Sequence, residues 1–104
     1  VEYTIEHHGG GHETIRVERA LISVGRVPNV ESLALDRAGV ELDERGHIKD
    51  VDTQTSVPHI YAVGDVTLDI ALVNVGEIEG RHAAERICGL AKGPLSYENL
   101  STIM

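Results

Sequence analysis

The sequence contains no phenylalanine, no tryptophan, one methionine and one cysteine. Without Phe or Trp, any core must be built from Val, Ile, Leu and Ala. That composition suits sheet packed on helix and provides no aromatic platform for single-stranded nucleic acid. The single cysteine, Cys88, excludes an internal disulfide and points to a reducing compartment. Basic residues are few: 9 Lys and Arg stand against 17 Asp and Glu, for a net charge of −8. Nucleic acids and anionic membranes are bound through basic surface, so this balance argues against both. No apolar run approaches the roughly 20 residues of a membrane span, and no signal-peptide pattern opens the chain. The expected location is cytoplasmic.

The 104 residues allow one modest core, and 41% apolar with 25% charged residues is an ordinary globular balance. A chain of this size buries roughly two-thirds of its unfolded surface, which leaves little margin. It opens at Val1 with strand-like alternation and closes at Ile103-Met104 within a mildly apolar stretch. Both ends read as cuts through a longer polypeptide, although processing also explains the first.

Val1, Tyr3 and Ile5 alternate with Glu2, Thr4 and Glu6, the period of a half-buried strand. Gly9-Gly10-Gly11 supplies a turn, and a second alternation carries Ile15 and Val17, so a β-hairpin is expected at the start. Ala20 to Val24 is nearly continuous in apolar character and predicts a strand covered on both faces, as in a parallel sheet. Gly25 stops it, and Pro28-Asn29 marks a loop. Asp43-Glu44-Arg45-Gly46 reads as a turn, and Ile60 to Val63 is a second buried-strand candidate that ends at Gly64-Asp65.

One long helix is expected from about Ile70 to Cys88, with Leu72, Val75, Ile78, Ala83 and Ile87 on its apolar face. Asp69 can cap its start and Gly89 its end. Glu77 and Arg81 form an i, i+4 pair. Gly76, Gly80 and Ala84 make a stripe of small residues, which predicts that the glycines face a sheet or ligand rather than solvent. Gly93-Pro94 marks a further change of character.

The unit strand, Gly64-Asp65, loop, helix is the most informative. In open α/β sheets ligands bind beyond the carboxyl ends of strands, and helix N-termini favour negative charge. Asp65 stands where a carboxylate can accept hydrogen bonds from ligand hydroxyls, and Gly64 permits close backbone approach. By chemistry alone, a buried carboxylate bonded to loop amides is an equal alternative.

Gly25-Arg26-Val27-Pro28-Asn29, Gly46-His47-Ile48, the run from Thr55 to Asp65, and Leu72-Val73-Asn74-Val75 followed by Glu79-Gly80-Arg81 occur in that order. Together, over about residues 20 to 90, they resemble the pyridine nucleotide-disulfide oxidoreductases, the flavoprotein family that includes dihydrolipoamide dehydrogenase and glutathione reductase. The resemblance implies an α/β, partial Rossmann-like fold in three parts. Residues 1–25 would end the NAD(P)-binding domain, 26–93 would be the carboxyl-side segment of the FAD-binding domain, and 94–104 would begin a dimer-interface domain. It implies that Asp65 holds a ribityl hydroxyl of FAD, with Gly64 beside it. It also implies that the backbone of Ala71, Leu72, Val73 and Asn74 faces the flavin pyrimidine edge, and that Gly25 lies against the nicotinamide cofactor. Arg26 and Asn29 are expected to pin the domain crossing. The family often has Ala-His at Val73-Asn74, but the contact is mainly through backbone.

His7, His8 and His12 cluster near the hairpin turn without a completing Cys or carboxylate pattern, and read as exposed polar residues. Cys88 near the helix end is expected to be inert. No G-x-G-x-x-G fingerprint leads into a helix, and no paired-Cys centre or His–Glu acid-base pair is present. The chemistry is therefore expected to belong to a parent enzyme, a homodimer that passes electrons between NAD(P)H and a disulfide such as lipoamide through FAD. The dihydrolipoamide dehydrogenase-like subgroup leads. Soluble transhydrogenase, mercuric reductase and a non-catalytic module without cofactor are the alternatives.

Overall fold

In the computed structural model, which describes residues 1–98 and Leu100, the chain starts as the expected hairpin. Strands β1 (Glu2–Glu6) and β2 (His12–Arg16) pair antiparallel, with Tyr3 opposite Ile15 and Glu2 opposite Arg16. Gly10 and Gly11 take positive φ (76° and 110°) to turn the chain. Within the hairpin only Ile15 is even partly buried; the rest of both strands is exposed.

Ala20 to Val24 differs from expectation. It is not a strand, and Leu21, Ile22 and Val24 are 93%, 81% and 92% exposed. A buried parallel strand needs neighbours on both edges and layers on both faces, and no other described strand pairs with this segment. Its apolar character is real, but among the described residues nothing covers it.

Order returns at Val30. A 3₁₀ turn (Glu31–Leu33) and the four-residue helix α1 (Leu35–Ala38) are separated by Ala34 in the left-handed region. Gly39, at φ 76°, ends α1. The Asp43–Gly46 turn forms as expected: Asp43 Oδ1 accepts from the backbone amides of Arg45 and His47, both at 2.8 Å. This turn brings Leu42 opposite Ile48 in a single antiparallel bridge.

Strands β3 (Asp50–Val51) and β4 (Gln54–Thr55) form a second, very short hairpin. Its two turn residues, Asp52 and Thr53, both have positive φ (55° and 72°), the twist that a two-residue hairpin requires. The pattern from Ile60 to Val63 predicts a buried strand, and here only Ala62 is fully buried. The segment runs antiparallel beside β4, with Ile60 O accepting from Thr55 N and Ala62 N donating to Thr53 O. Only Tyr61 forms a bridge, to Gln54. The connector between Thr55 and Pro58 is too short for any other return direction.

Val30, Val40, Ile48 and Ala62 form the core, with Leu35, Val57, Ile60 and Val66 packed against it. The core is wholly aliphatic, as the composition requires.

Helix α2 (Val73–Ile87) begins three residues later than the pattern suggests. Asp69 does not cap it: Leu72 is the N-cap residue and supplies no side-chain bond. The end is a Schellman motif, in which Leu90 N donates to Glu85 O and Gly89 N to Arg86 O, with Gly89 at φ 68°. The buried face is Val75, Glu79, His82 and Ala83. Of the expected apolar face, Ile78 and Ile87 are exposed, at 36% and 65%. The helix is rolled so that two polar residues point inward, because each finds a partner there.

Overall the chain exposes 8568 Å². A self-contained monomer of its 11.3 kDa is expected to expose about 5,700 Å². Among the described residues no helix is long and apolar enough to cross a membrane.

Candidate functional site

The site grows out of the carboxyl end of the Ile60–Val63 segment. Ala62 is buried in the core, and two residues later the chain turns sharply at Gly64, φ 76°. The turn is held at both ends of the glycine. Thr67 donates from its amide (3.0 Å) and its hydroxyl (2.9 Å) to Gly64 O, and Gly64 N donates to Glu79 Oε2 of α2 at 2.6 Å. The next turn residue, Val66, accepts from Ile48 N at 2.8 Å and is anchored to the core. Helix α2 meets the turn glycine to glycine. A Cβ at Gly76 would lie 3.4 Å from the Gly64 Cα, so only small residues allow this approach.

Asp65 projects from the turn into a cleft of about 280 Å³ that is also lined by Arg26, Asn29, His47, Thr67, Asp69 and Ala71. Its side chain is half exposed, and one carboxylate oxygen lies 3.5 Å from Arg26 Nη2. The carboxylate is not folded back on loop amides, which was the alternative chemical reading. An exposed pair of this kind adds little stability and leaves lone pairs available to a ligand.

Of the other expected residues, Ala71 lines the same cleft. Leu72, Val73 and Asn74 follow at the start of α2, with Val73 92% exposed. This first turn carries no acidic residue and no side-chain cap at Leu72, so it presents a partial positive charge outward. Gly25 is the outlying member. It sits in the exposed segment at φ 132° with nothing within 4 Å of its Cβ direction, and it is tied to the cleft only through its neighbour Arg26. Arg26 and Asn29, expected to pin a crossing, line the cleft itself.

The histidines at the hairpin are exposed, and His7 contacts Glu13 at 3.5 Å. Among the described residues no group of three or more His, Cys, Asp or Glu is placed to hold a metal. Cys88 is exposed at the end of α2. Glu77 and Arg81 form their expected surface pair at 3.7 Å.

Two polar clusters escaped the sequence reading. In the first, Glu79 is 1% exposed and holds Gly64 N, while Tyr97 O–H donates to its other oxygen at 3.0 Å. Burial, followed by the Glu79 and Asp69 carboxylates beside it, pushes the Tyr97 hydroxyl well above the usual phenol range, so it stays a donor.

In the second, Arg86 Nη1 donates to both the carboxylate and the carbonyl of Asp52, and Leu95 N donates to Asp52 Oδ1 at 2.7 Å. His82 Nε2 approaches Asp52 Oδ1 to 2.9 Å, close but out of line for a hydrogen bond, so the contact is electrostatic when the imidazole is protonated. Burial works against the Asp52 charge. The Leu95 amide, His82 and Arg86 outweigh it and hold the carboxyl below its ordinary range. The signal that could have found both clusters is spacing: Glu79, His82 and Arg86 lie at i, i+3 and i+7 beside Val75 and Ala83, on one helix face.

The short core, the glycine turn at a segment's carboxyl end and the helix that starts beside it define an α/β piece of a larger Rossmann-like fold. The family described as pyridine nucleotide-disulphide oxidoreductase matches residues 2–86, and the chain belongs to that family. It is 43% identical over 90 residues to a dihydrolipoyl dehydrogenase of Cupriavidus necator, covering 86% of this chain and 19% of that one. It is 47% identical over 78 residues to the Corynebacterium glutamicum enzyme of the same name, covering 74% and 17%. The crystal structure of LpdA from Mycobacterium tuberculosis superimposes with a TM-score of 0.77 at 27% identity, covering 95% of this chain and 21% of that one. The chain therefore spans about a fifth of the length of the relatives it matches.

The residues present fit a flavin dinucleotide. A half-exposed carboxylate offers acceptors to a polyol hydroxyl, and Ala71, next to a helix start without a side-chain cap, lines the same cleft.

Proposed function

We propose that this chain is the flavin-lining segment of an FAD-dependent, NAD(P)-linked disulfide oxidoreductase of the dihydrolipoyl dehydrogenase kind. The observation that carries the reading is Asp65, half exposed at the lip of the cleft, three residues beyond buried Ala62 and beside the start of α2. In this reading Asp65 accepts from a ribityl hydroxyl and Gly64 keeps the backbone clear. Ala71, Leu72, Val73 and Asn74 present the helix start to the electron-rich edge of the ring, and Gly25 adjoins the nicotinamide. FAD, when bound, supplies the electron transfer between NAD(P)H and a disulfide such as lipoamide. The residues of this chain bind and orient it and bias its charge.

Residues 1–25 then close the NAD(P)-binding domain, 26–93 return to the FAD-binding domain, and 94–104 open the interface of a cytoplasmic homodimer. Asn99 and residues 101–104 lie outside the described residues. The exposed run Leu21, Ile22, Val24 supports the assignment of the first boundary, since an apolar segment of this kind is buried only when the rest of a nucleotide-binding sheet covers it.

The visible absorption spectrum of the intact polypeptide carrying these residues tests the reading. Flavin absorption that co-purifies with the protein and is bleached by NADH or NADPH is expected, and a colourless folded protein that takes up no added FAD overturns it.

A further inference from the structure

Glu79 is 1% exposed, and among the described residues its hydrogen-bond partners are a backbone amide and a phenol rather than a cation. Burying a carboxyl without a paired cation is costly. At the same position, between Val75 and Ala83, an apolar side chain would pack α2 against the core without that cost. What a side chain of this length with two hydrogen-bonding atoms at its end provides is a fixed place for the Gly64 amide and the Tyr97 hydroxyl together.

Gly64 is the residue immediately before Asp65. Its carbonyl is already gripped twice by Thr67, and Glu79 grips its amide at 2.6 Å. Helix α2 thus holds the Val63–Gly64 peptide while Thr67 holds the Gly64–Asp65 peptide, so Gly64, from which Asp65 projects, is fixed on both sides and on one of them from α2. Tyr97, on the segment after α2, in turn sets Glu79 and reaches Asp69 on the rim of the cleft at 3.4 Å.

Resting on the reading that Asp65 binds the flavin ribityl chain, we infer that Glu79 is a positioning residue, which aims Asp65 at the cofactor and ties the turn to the Tyr97 segment. It touches no cofactor atom itself; its effect passes through the backbone.

The test is FAD titration of the apoprotein of the intact polypeptide, followed by flavin fluorescence. Glu79→Asp is one methylene too short to hold Gly64 and Tyr97 at once, and it is expected to weaken FAD binding about tenfold or more, the loss of a good hydrogen bond. Glu79→Gln can accept from Gly64 and donate to the Tyr97 oxygen, and should stay within about threefold of wild type. In an Asp65→Ala background Glu79→Asp should change affinity by less than about twofold, because the group it aims is gone. A wild-type affinity for Glu79→Asp, or a loss that persists undiminished without Asp65, overturns the inference; the second result marks a purely structural carboxyl. Should Glu79→Asp fail to fold, Tyr97→Phe carries the test, with about a threefold loss expected and unchanged affinity overturning it. If Asp65→Ala itself leaves FAD affinity unchanged, the cofactor reading fails; if it weakens binding and Glu79→Asp does not, only the role of Glu79 fails.

Discussion

Arg86 holds Asp52 by its carbonyl and its carboxylate at once, across 34 residues of sequence. Asp52 is also the first of two turn residues in the left-handed region, followed by Thr53 at φ 72°. A β-branched residue seldom adopts that conformation. The side chain of Arg86 therefore holds the hairpin of β3 and β4 in a shape its own sequence does not favour.

Arg86→Ala is expected to destabilise the protein by about 1–2 kcal/mol, the value of charge-assisted hydrogen bonds reduced for partial exposure. The loss should appear as a lower urea midpoint with little change in slope. A midpoint equal to that of wild type would show that the turn holds itself.

Acid should find the same place. Because the folded Asp52 carboxyl lies below its ordinary range, its contribution is complete above the unfolded carboxylate pKa of about 3.9 and is lost as pH falls through the folded value. Asp50 works the other way. Burial, together with Asp69, Glu79 and Asp52 nearby, raises its pKa against the opposing Thr53 amide, so protonation favours the fold there. Replacing Asp52 by Asn should flatten the drop in stability between pH 5 and pH 3 measured by denaturant titration. An identical slope in the two proteins counts against the assignment.

At the cleft, Asp65→Ala in the intact polypeptide should reduce flavin retention roughly ten- to a hundredfold relative to wild type. Glu77→Ala, on the exposed face of α2, should not. Flavin content after dialysis compares them, and equal content would remove Asp65 from the binding site.

The helix glycines should now part company. Gly76 abuts Gly64, whereas nothing lies within 4 Å of a Cβ at Gly80. Gly80→Ala is expected to raise the thermal midpoint through helix propensity, about 0.5–1 kcal/mol. Gly76→Leu should lower the midpoint, through overpacking that costs about 1–3 kcal/mol of stability. This reverses, for Gly80, the expectation drawn from the small-residue stripe. Ala84 is exposed and Gly80 partly buried, so within this chain the stripe amounts to one close contact.

Local periodicity and turn chemistry made the hairpin, the Asp43–Gly46 turn, the end of α2 and the Gly64–Asp65 corner legible, because each depends on residues close in sequence. The fate of Ala20 to Val24 was not legible, since burial is decided by whatever lies alongside. The inward roll of α2 was hidden for another reason. Glu79, His82 and Arg86 look like solvated charges until Gly64, Asp52 and Tyr97 are brought to them from far along the chain.

Cys88, exposed and the sole thiol in the sequence, directly follows the last turn of α2, two residues from Arg86. Nature has thus left a ready attachment point for one fluorophore beside the Asp52 turn. Any loosening of that corner, by acid, by substitution at Arg86 or by departure of the Tyr97 segment, can be followed optically at a known position without engineering a handle.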